Sequence, residues 1–476
     1  MKRIAFCFDG SWNRLNAAHP TNVVLVAESI LPTASDGTAQ IVYYDEGVGT
    51  ASDDKLRGGA FGQGLMTNVR EAYRFLVFNY EPGDEIYAFG FSRGAFTARS
   101  FVGFIQSAGI IDVNDAAMID EAIGLYRSVA EKGPHSEEAR RFRQRFAGRV
   151  CLNEEEESWR CSIDREYAVG TAHRLHIRYV GVWDTVAALG WPRVIPGSAR
   201  LNSEHHFHNA NLSENVEAAR HAVAIDEKRI LFAPTLWTNV TALNAAKGFS
   251  DSDPKAPYQQ KWFPGIHGSV GGGGPERGLS DDALAWVMAG AKKMGLQVNV
   301  NHTSRIYEIR PNFKAPLSND PAWNPWHGRG PVGWLKGVLL TADREGPTEL
   351  HELSASARRR WSMKATELPE KKLYRPSALR RITKLLDGSA MVGQAIYDGP
   401  VLAHHEVRPR ESIRKLARLY YGDANRDVDI VKANLDLIDD PDEIFVGTVL
   451  RIPDLGLVRP GVVQAGSTAP VRAPTT

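Results

Sequence analysis

The chain has 476 residues, enough for about two or three domains. It is 43% hydrophobic and 24% charged with a net charge of +1, a globular profile without the basic surplus that would draw nucleic acid or an anionic membrane. Cys7, Cys151 and Cys161 are too few and too irregularly spaced for a disulfide framework or a zinc site, and no run approaches the ~18 apolar residues of a membrane span.

The opening MKRIAFCFDG carries basic residues and a short apolar run that meets Asp9 at once. It reads as a buried strand over residues 4–8 rather than as a signal peptide. Synthesis in a reducing cytoplasm is expected, and export, if it occurs, without a cleaved signal. Val69, Ala72, Tyr73 and Leu76 recur at helical spacing and predict a helix over 68–79. Pro82-Gly83-Asp84 is a turn, and residues 85–89 form the next strand. Gly90-Phe91-Ser92-Arg93-Gly94 follows, and then a helix whose Ala95, Phe96, Ala98, Phe101, Val102 and Ile105 make much of its surface apolar, as suits a helix beside a sheet. Residues 112–170 form a polar, helix-prone, insert-like region, in which the acidic run 154–157 reads as a solvated face. Further strands are predicted at 175–184 and near 260–263. A helix is predicted over 279–294, with Ser280 as N-cap, Asp281 and Asp282 in its first turn and Gly295 as its stop.

This alternation predicts an α/β fold with a mainly parallel sheet flanked by helices, over residues 1–385. Within it, residues 311–346 are rich in Pro, Gly and Trp and read as a cap or loop; residues 347–385 turn helical and basic. A linker at 386–403, a compact unit at 404–454 and a disordered tail at 455–476 complete the expected organisation.

The stretch from 90 to 94 is a G-x-S-x-G at a strand-to-helix junction. A serine in so sharp a turn stands clear of the backbone, and the residues two before and two after it must lack side chains because strand and helix approach there. The helix start offers backbone N–H groups to a developing oxyanion. Such a serine needs a base, and the base an orienting acid, in chain order Ser, acid, His, each after a strand. Asp184 ends the apolar strand YVGVW, and His267 lies in KWFPGIHGSVGGGG, with Asp226 as the alternative acid and His221 as the rival base. For the oxyanion hole, the Arg93 N–H is one donor, and Gly10 or Ser11, just after the first strand, supplies the second. Residues 204–208, EHHFH, have no matching carboxylate or cysteine pattern and read as a polar loop, so neither a metal nor a cofactor is expected.

FCFDGSWN, GDEIYAFGFSRGAFTAR, YVGVWDTVAALG, HAVAIDEKR and KWFPGIHGSVGGGG with LSDDALAWV, in that order, resemble the α/β-hydrolase family of type VI secretion lipase effectors of the phospholipase A type. The resemblance spans roughly residues 1–385. It implies a Ser92, Asp184, His267 triad and hydrolysis of lipid esters, membrane phospholipids above all, by a bacterial effector that an immunity protein neutralises. One departure is Gly268-Ser269, where the family pattern places Ser-Asp after the histidine. Residues 404–454 resemble a βααβ LysM module, through YYGDAN, ANLDLI and VLRIP, with Arg410-Glu411 and Val446-Gly447 in place of the usual Gly-Asp and Pro-Gly. That resemblance implies either binding to peptidoglycan-type glycans or docking to a secretion-apparatus protein. Trp323, Trp326 and Trp334 suggest an interfacial lid making transient membrane contact, and residues 189–197 a lining for the acyl pocket. Two other readings remain open: an esterase that deacylates a cell-wall or other polymer, and a non-catalytic docking protein of a secretion or phage-tail-like assembly.

Overall fold

The computed structural model describes residues 1–11, 13, 15–47, 60–128, 133–187, 211–299, 305–319, 341–388, 397, 399–408, 411–434, 438, 444 and 449–456. The chain divides into two compact units, Met1–Gly393 and Gln394–Thr476.

The first unit is built on six parallel strands: β1 Lys2–Ser11, β2 Ala39–Gly47, β3 Glu85–Phe91, β4 Ile177–Trp183, β5 Val216–Ala224 and β6 Tyr258–Phe263, in the spatial order β2-β1-β3-β4-β5-β6. Strands covered on both faces need near-continuous apolar runs, which β1, β3 and β4 supply. The reversal of strand order beside β1 and β3 opens a crevice at their carboxyl ends. Helices α1 Asn22–Ser29, α2 Ala60–Asn79 and α3 Arg93–Ala108 pack on this sheet. On one face Phe6 meets Phe101 of α3 at 4.5 Å between ring centroids, inside a large apolar core that also takes in Phe8, Tyr73 and Leu76.

The alternation was legible; two strands were not. β2 lies at the sheet edge with most of its side chains half-buried, so its apolar pattern is diluted. β5 is interrupted by Arg220 and His221, both buried; one Arg220 amine donates to the Trp286 carbonyl at 2.5 Å, and His221 Nδ1 lies 2.9 Å from Gln260 Oε1. The 112–170 region forms α4 Ile119–Ser128, α5 Glu137–Phe146 and α6 Glu154–Ile163. Its acidic run is not wholly solvated: Glu154 and Glu155 are exposed, but Glu156 is buried. It is held by Arg143 at 2.8 Å and Arg160 at 2.8 Å, and it accepts the Leu152 N–H. Three charges are buried here because each finds its opposite.

Helix α7 His267–Gly271 is a short turn after β6, and α8 Gly278–Lys293 follows it. Ser280 does not cap α8. It sits inside the first turn, and its hydroxyl donates back to the Arg277 carbonyl at 3.0 Å. Asp281 is tied to Arg277 and accepts the Arg310 N–H.

In the second unit, β7 Val401–Glu406 pairs antiparallel with β8 Val449–Pro453, and helices α9 Ile413–Tyr421 and α10 Asp427–Ala433 lie between them in sequence. Val407, Ile413, Leu416, Ala417, Ile430, Leu450 and Ile452 form its core. Buried Asn434 fastens the end of α10 to β8, donating to the Ile430 and Arg451 carbonyls and accepting the Arg451 N–H. Among the described residues no helix is long and apolar enough to cross a membrane.

Candidate active site

Strand β3 ends at Phe91 and α3 begins at Arg93, so the turn between them has one residue, Ser92. It sits at φ 58°, a strained value for a side chain other than glycine, and is held there by neighbours. Its N–H donates to the Trp183 carbonyl at 3.0 Å, and its carbonyl accepts the Val186 N–H at 3.2 Å and the Phe96 N–H at 3.3 Å. The flanking glycines are sterically obligatory. A Cβ on Gly90 would lie 2.5 Å from the Gly94 carbonyl oxygen, and one on Gly94 would lie 2.3 Å from the carbonyl oxygens of Phe8 and Asp9. Both obstacles are backbone, which no rotamer change can relieve.

Two other segments converge on Ser92. Its Oγ lies 2.8 Å from His267 Nε2, and His267 Nδ1 lies 2.6 Å from Asp184 Oδ2. A carboxylate only accepts, so this pairing assigns the ring proton to Nδ1 and leaves Nε2 as an acceptor facing the hydroxyl. All three residues are buried, Ser92 and His267 at 6% exposure each and Asp184 at 0%. The imidazole is boxed by Phe91, tilted 31° at 4.6 Å, and by Phe232, edge-on at 4.7 Å. The His267 N–H donates to Glu227 Oε2, itself paired with Arg229. A Cβ on Gly268 would sit 2.6 Å from the Asn319 amide and would push that side chain aside; Ser269 turns away and donates to the Leu317 carbonyl at 2.7 Å.

Asp184 follows β4 at φ 37° and accepts the Ala224 N–H at 2.9 Å. Its main partner is Arg344. The two guanidinium ends donate to Oδ1 at 2.6 Å and to Oδ2 at 2.9 Å, and also to the Ala224 carbonyl at 2.7 Å and the Phe232 carbonyl at 2.6 Å. Burial alone would raise the Asp184 carboxyl; Arg344, with His267 behind it, holds it well below the usual carboxylate range instead. Sequence reasoning missed Arg344, which no motif surrounds.

The alternative acid and rival base lie elsewhere. Asp226 accepts the Gly265 N–H at 2.7 Å and the Tyr374 hydroxyl at 2.8 Å, and so braces the loop before His267 rather than its ring. His221 is fully buried; its Nε2 accepts the Thr185 N–H at 3.2 Å, and burial, then Arg99, pushes it down to about 3.

Of the residues expected at the oxyanion hole, Arg93 opens α3, and Ser11 closes β1 opposite Gly47. The Gly10 N–H is committed: it donates to Asp9 Oδ1 at 2.6 Å. Asp9 also accepts Asn13 Nδ2 at 3.3 Å, the Thr21 hydroxyl at 2.7 Å and the Tyr44 hydroxyl at 2.9 Å, while burial raises its carboxyl to about 6. A Cβ on Gly10 would stand 2.7 Å from Asn13 Nδ2 and 3.3 Å from the Ser92 Cβ, so the amide and the serine both crowd the same side of Gly10. Trp323, Trp326, Trp334, the 189–197 loop and His205, His206 and His208 lie outside the described residues.

A curated relative, the uncharacterized protein YEL023C of Saccharomyces cerevisiae, is 28% identical over 254 residues, which are 50% of this chain and 33% of that protein. Two solved structures share 18% and 19% identity: an uncharacterized protein from Pseudomonas aeruginosa, with a TM-score of 0.35 over 62% of this chain and 46% of that one, and the Tle1 effector bound to the VgrG spike of the type 6 secretion system, with a TM-score of 0.28 over 57% and 51%. The chain thus spans a third to about half of the length of these proteins. The family model for the catalytic domain of Tle1-like type VI secretion phospholipase effectors matches residues 2–290, more than half of the chain, and the protein belongs to that family.

Proposed function

We propose that the protein is a serine hydrolase of carboxylic esters, acting on phospholipids through Ser92, His267 and Asp184. The observation that carries this reading is the unbroken hydrogen-bonded line from Ser92 Oγ through the imidazole to the Asp184 carboxylate. Ser92 Oγ attacks the ester carbonyl carbon while its proton passes to His267 Nε2. The tetrahedral intermediate collapses, the C–O bond to the alcohol breaks, and Nε2 returns the proton to the departing oxygen. Water then attacks the acyl-enzyme by the same route and releases the fatty acid. Asp184 keeps the proton on Nδ1 and offsets the imidazolium that forms.

The oxyanion receives the Arg93 N–H at the start of α3, where the helix dipole favours negative charge. The second donor is the Asn13 side-chain amide, which has two N–H groups and gives one to Asp9 Oδ1 at 3.3 Å, whereas the single Gly10 N–H already serves that oxygen. A resident cofactor has no part in this chemistry.

Family membership supports delivery by a type VI secretion system to a target cell, with a secretion-apparatus protein and an immunity protein as partners. The strand–helix–helix–strand order of the second unit supports a LysM-like module and keeps a second reading, deacylation of a cell-wall polymer, in play. The test is mass spectrometry of products from mixed phospholipid vesicles and from peptidoglycan, with Ser92→Ala beside the wild type. Fatty acid from vesicles, lost in the variant, is the expected outcome. Acetate from peptidoglycan with intact vesicles would favour the second reading, and equal activity in both proteins would end the serine mechanism.

A further inference from the structure

Arg344 lies beyond residue 290, where the family match stops, and 160 residues after Asp184 in the chain. Its delivery to the site is built. Thr341 forms an antiparallel bridge with Arg229, the Ala342 N–H donates to the Lys228 carbonyl at 2.8 Å, and Asp343 pairs with Lys228 at 3.2 Å. Gly346, at φ +72°, then carries the chain past Ala378, whose carbonyl oxygen leaves 1.9 Å for a Cβ. Arg344 arrives with its side chain 4% exposed, and the two ends of its guanidinium make four hydrogen bonds, two to the carboxylate and two to backbone carbonyls.

A two-pronged grip of this kind fixes the plane of a carboxylate, and so the line along which it presents Oδ2 to an imidazole. The loop of Phe232, whose ring packs against the same imidazole, is held by the same guanidinium. We infer that Arg344 is a positioning residue of the hydrolytic site: it sets the orientation and charge of Asp184 and anchors the Phe232 wall, so the working site includes a segment beyond the residues that the family model matches. The inference rests on the Ser92–His267–Asp184 reading.

The titratable groups around Asp184 are His267 on α7, His221 on β5 and Arg344 itself; Glu227, paired with Arg229, reaches His267 from the backbone side. Without Arg344, His267 alone of these groups opposes the effect of burial, and Asp184 takes up a proton at higher pH. Loss of activity on the acid side therefore begins at higher pH. Arg344→Lys keeps the charge but loses the fork, so it should depress turnover with a smaller movement of the acid limb.

The experiment measures kcat, KM and the pH profile on a soluble ester for the wild type, Arg344→Gln, Arg344→Lys and Arg344→Ala, with folding followed by circular dichroism. For Arg344→Gln the expected result is kcat lower by about tenfold or more, KM within about twofold, and an acid limb raised by at least about half a pH unit. Methylguanidinium should restore activity to Arg344→Ala and leave Ser92→Ala inactive. Wild-type kcat and an unmoved acid limb in Arg344→Gln would overturn the inference. If that variant does not stay folded, Arg344→Lys decides: unchanged kcat overturns the role of the fork, and reduced kcat with unchanged KM supports it. An active Ser92→Ala would instead bring down the hydrolase reading and this inference with it.

Discussion

Ser92 is a case where the sequence stated its own geometry. Glycines two before and two after it meant backbone on both sides, and Gly90 and Gly94 face carbonyl oxygens too close for any Cβ. The spacing of Asp184 and His267, each placed just after a strand, was legible for the same reason. Arg344 was not: an arginine in a Pro- and Gly-rich stretch carries no period, and only the fold brings it to Asp184. Gly10 shows the opposite failure. Its place after β1 suggested an open N–H, but the preceding carboxylate turns back onto it at 2.6 Å. The neighbouring Asn13 amide, with two N–H groups and one of them on Asp9, is the donor proposed in its place, and Asn13→Leu, of similar size, removes it. The expected loss is roughly 10²–10³-fold in kcat with KM little changed. Parallel loss of affinity for a trifluoromethyl ketone, whose serine adduct carries the oxyanion, would separate a donor from a spacer; full kcat in the variant would exclude the role.

Among the elements, β1, β3 and β4, written as uninterrupted apolar runs, could be read, and β5, which carries working polar residues, could not. β5 bears Arg220 and His221 because each finds a buried partner, a condition that only the neighbouring strand and helix satisfy. The acidic run at the start of α6 misled in the same way. Glu156 is the one member turned inward, between Arg143 and Arg160, whose side chains are 0% and 1% exposed. Burial alone would raise its carboxyl, and the two arginines lower it instead. Glu156→Gln leaves two buried cations short of a counter-charge and should cost about 3–5 kcal/mol of stability in a denaturant titration near neutral pH. The sign of the pH dependence follows from the lowered native value. The advantage of the wild type is fully present above the unfolded glutamate value of 4.5 and fades as acid titrates the native carboxylate. A variant as stable as the wild type would show that the cluster is dispensable.

At the scale of the whole molecule the two units invite separate assays. The second has its own core and its own sheet, closed by Asn434. Removing residues 394–476 should leave hydrolysis of a soluble ester within about twofold while reducing retention on peptidoglycan or on a secretion-apparatus protein. Loss of soluble-ester turnover in the shortened chain would show that catalysis depends on both units. The parallel topology has one more consequence, for timing. On the proposed mechanism its crossovers scatter the reacting groups along the chain: the base comes 175 residues after the nucleophile, and the arginine that grips the acid comes later still. While the ribosome is still working through the first half of the polypeptide, the serine has emerged without anything to deprotonate it. On that mechanism the nascent chain stays inactive until its first unit is almost fully translated.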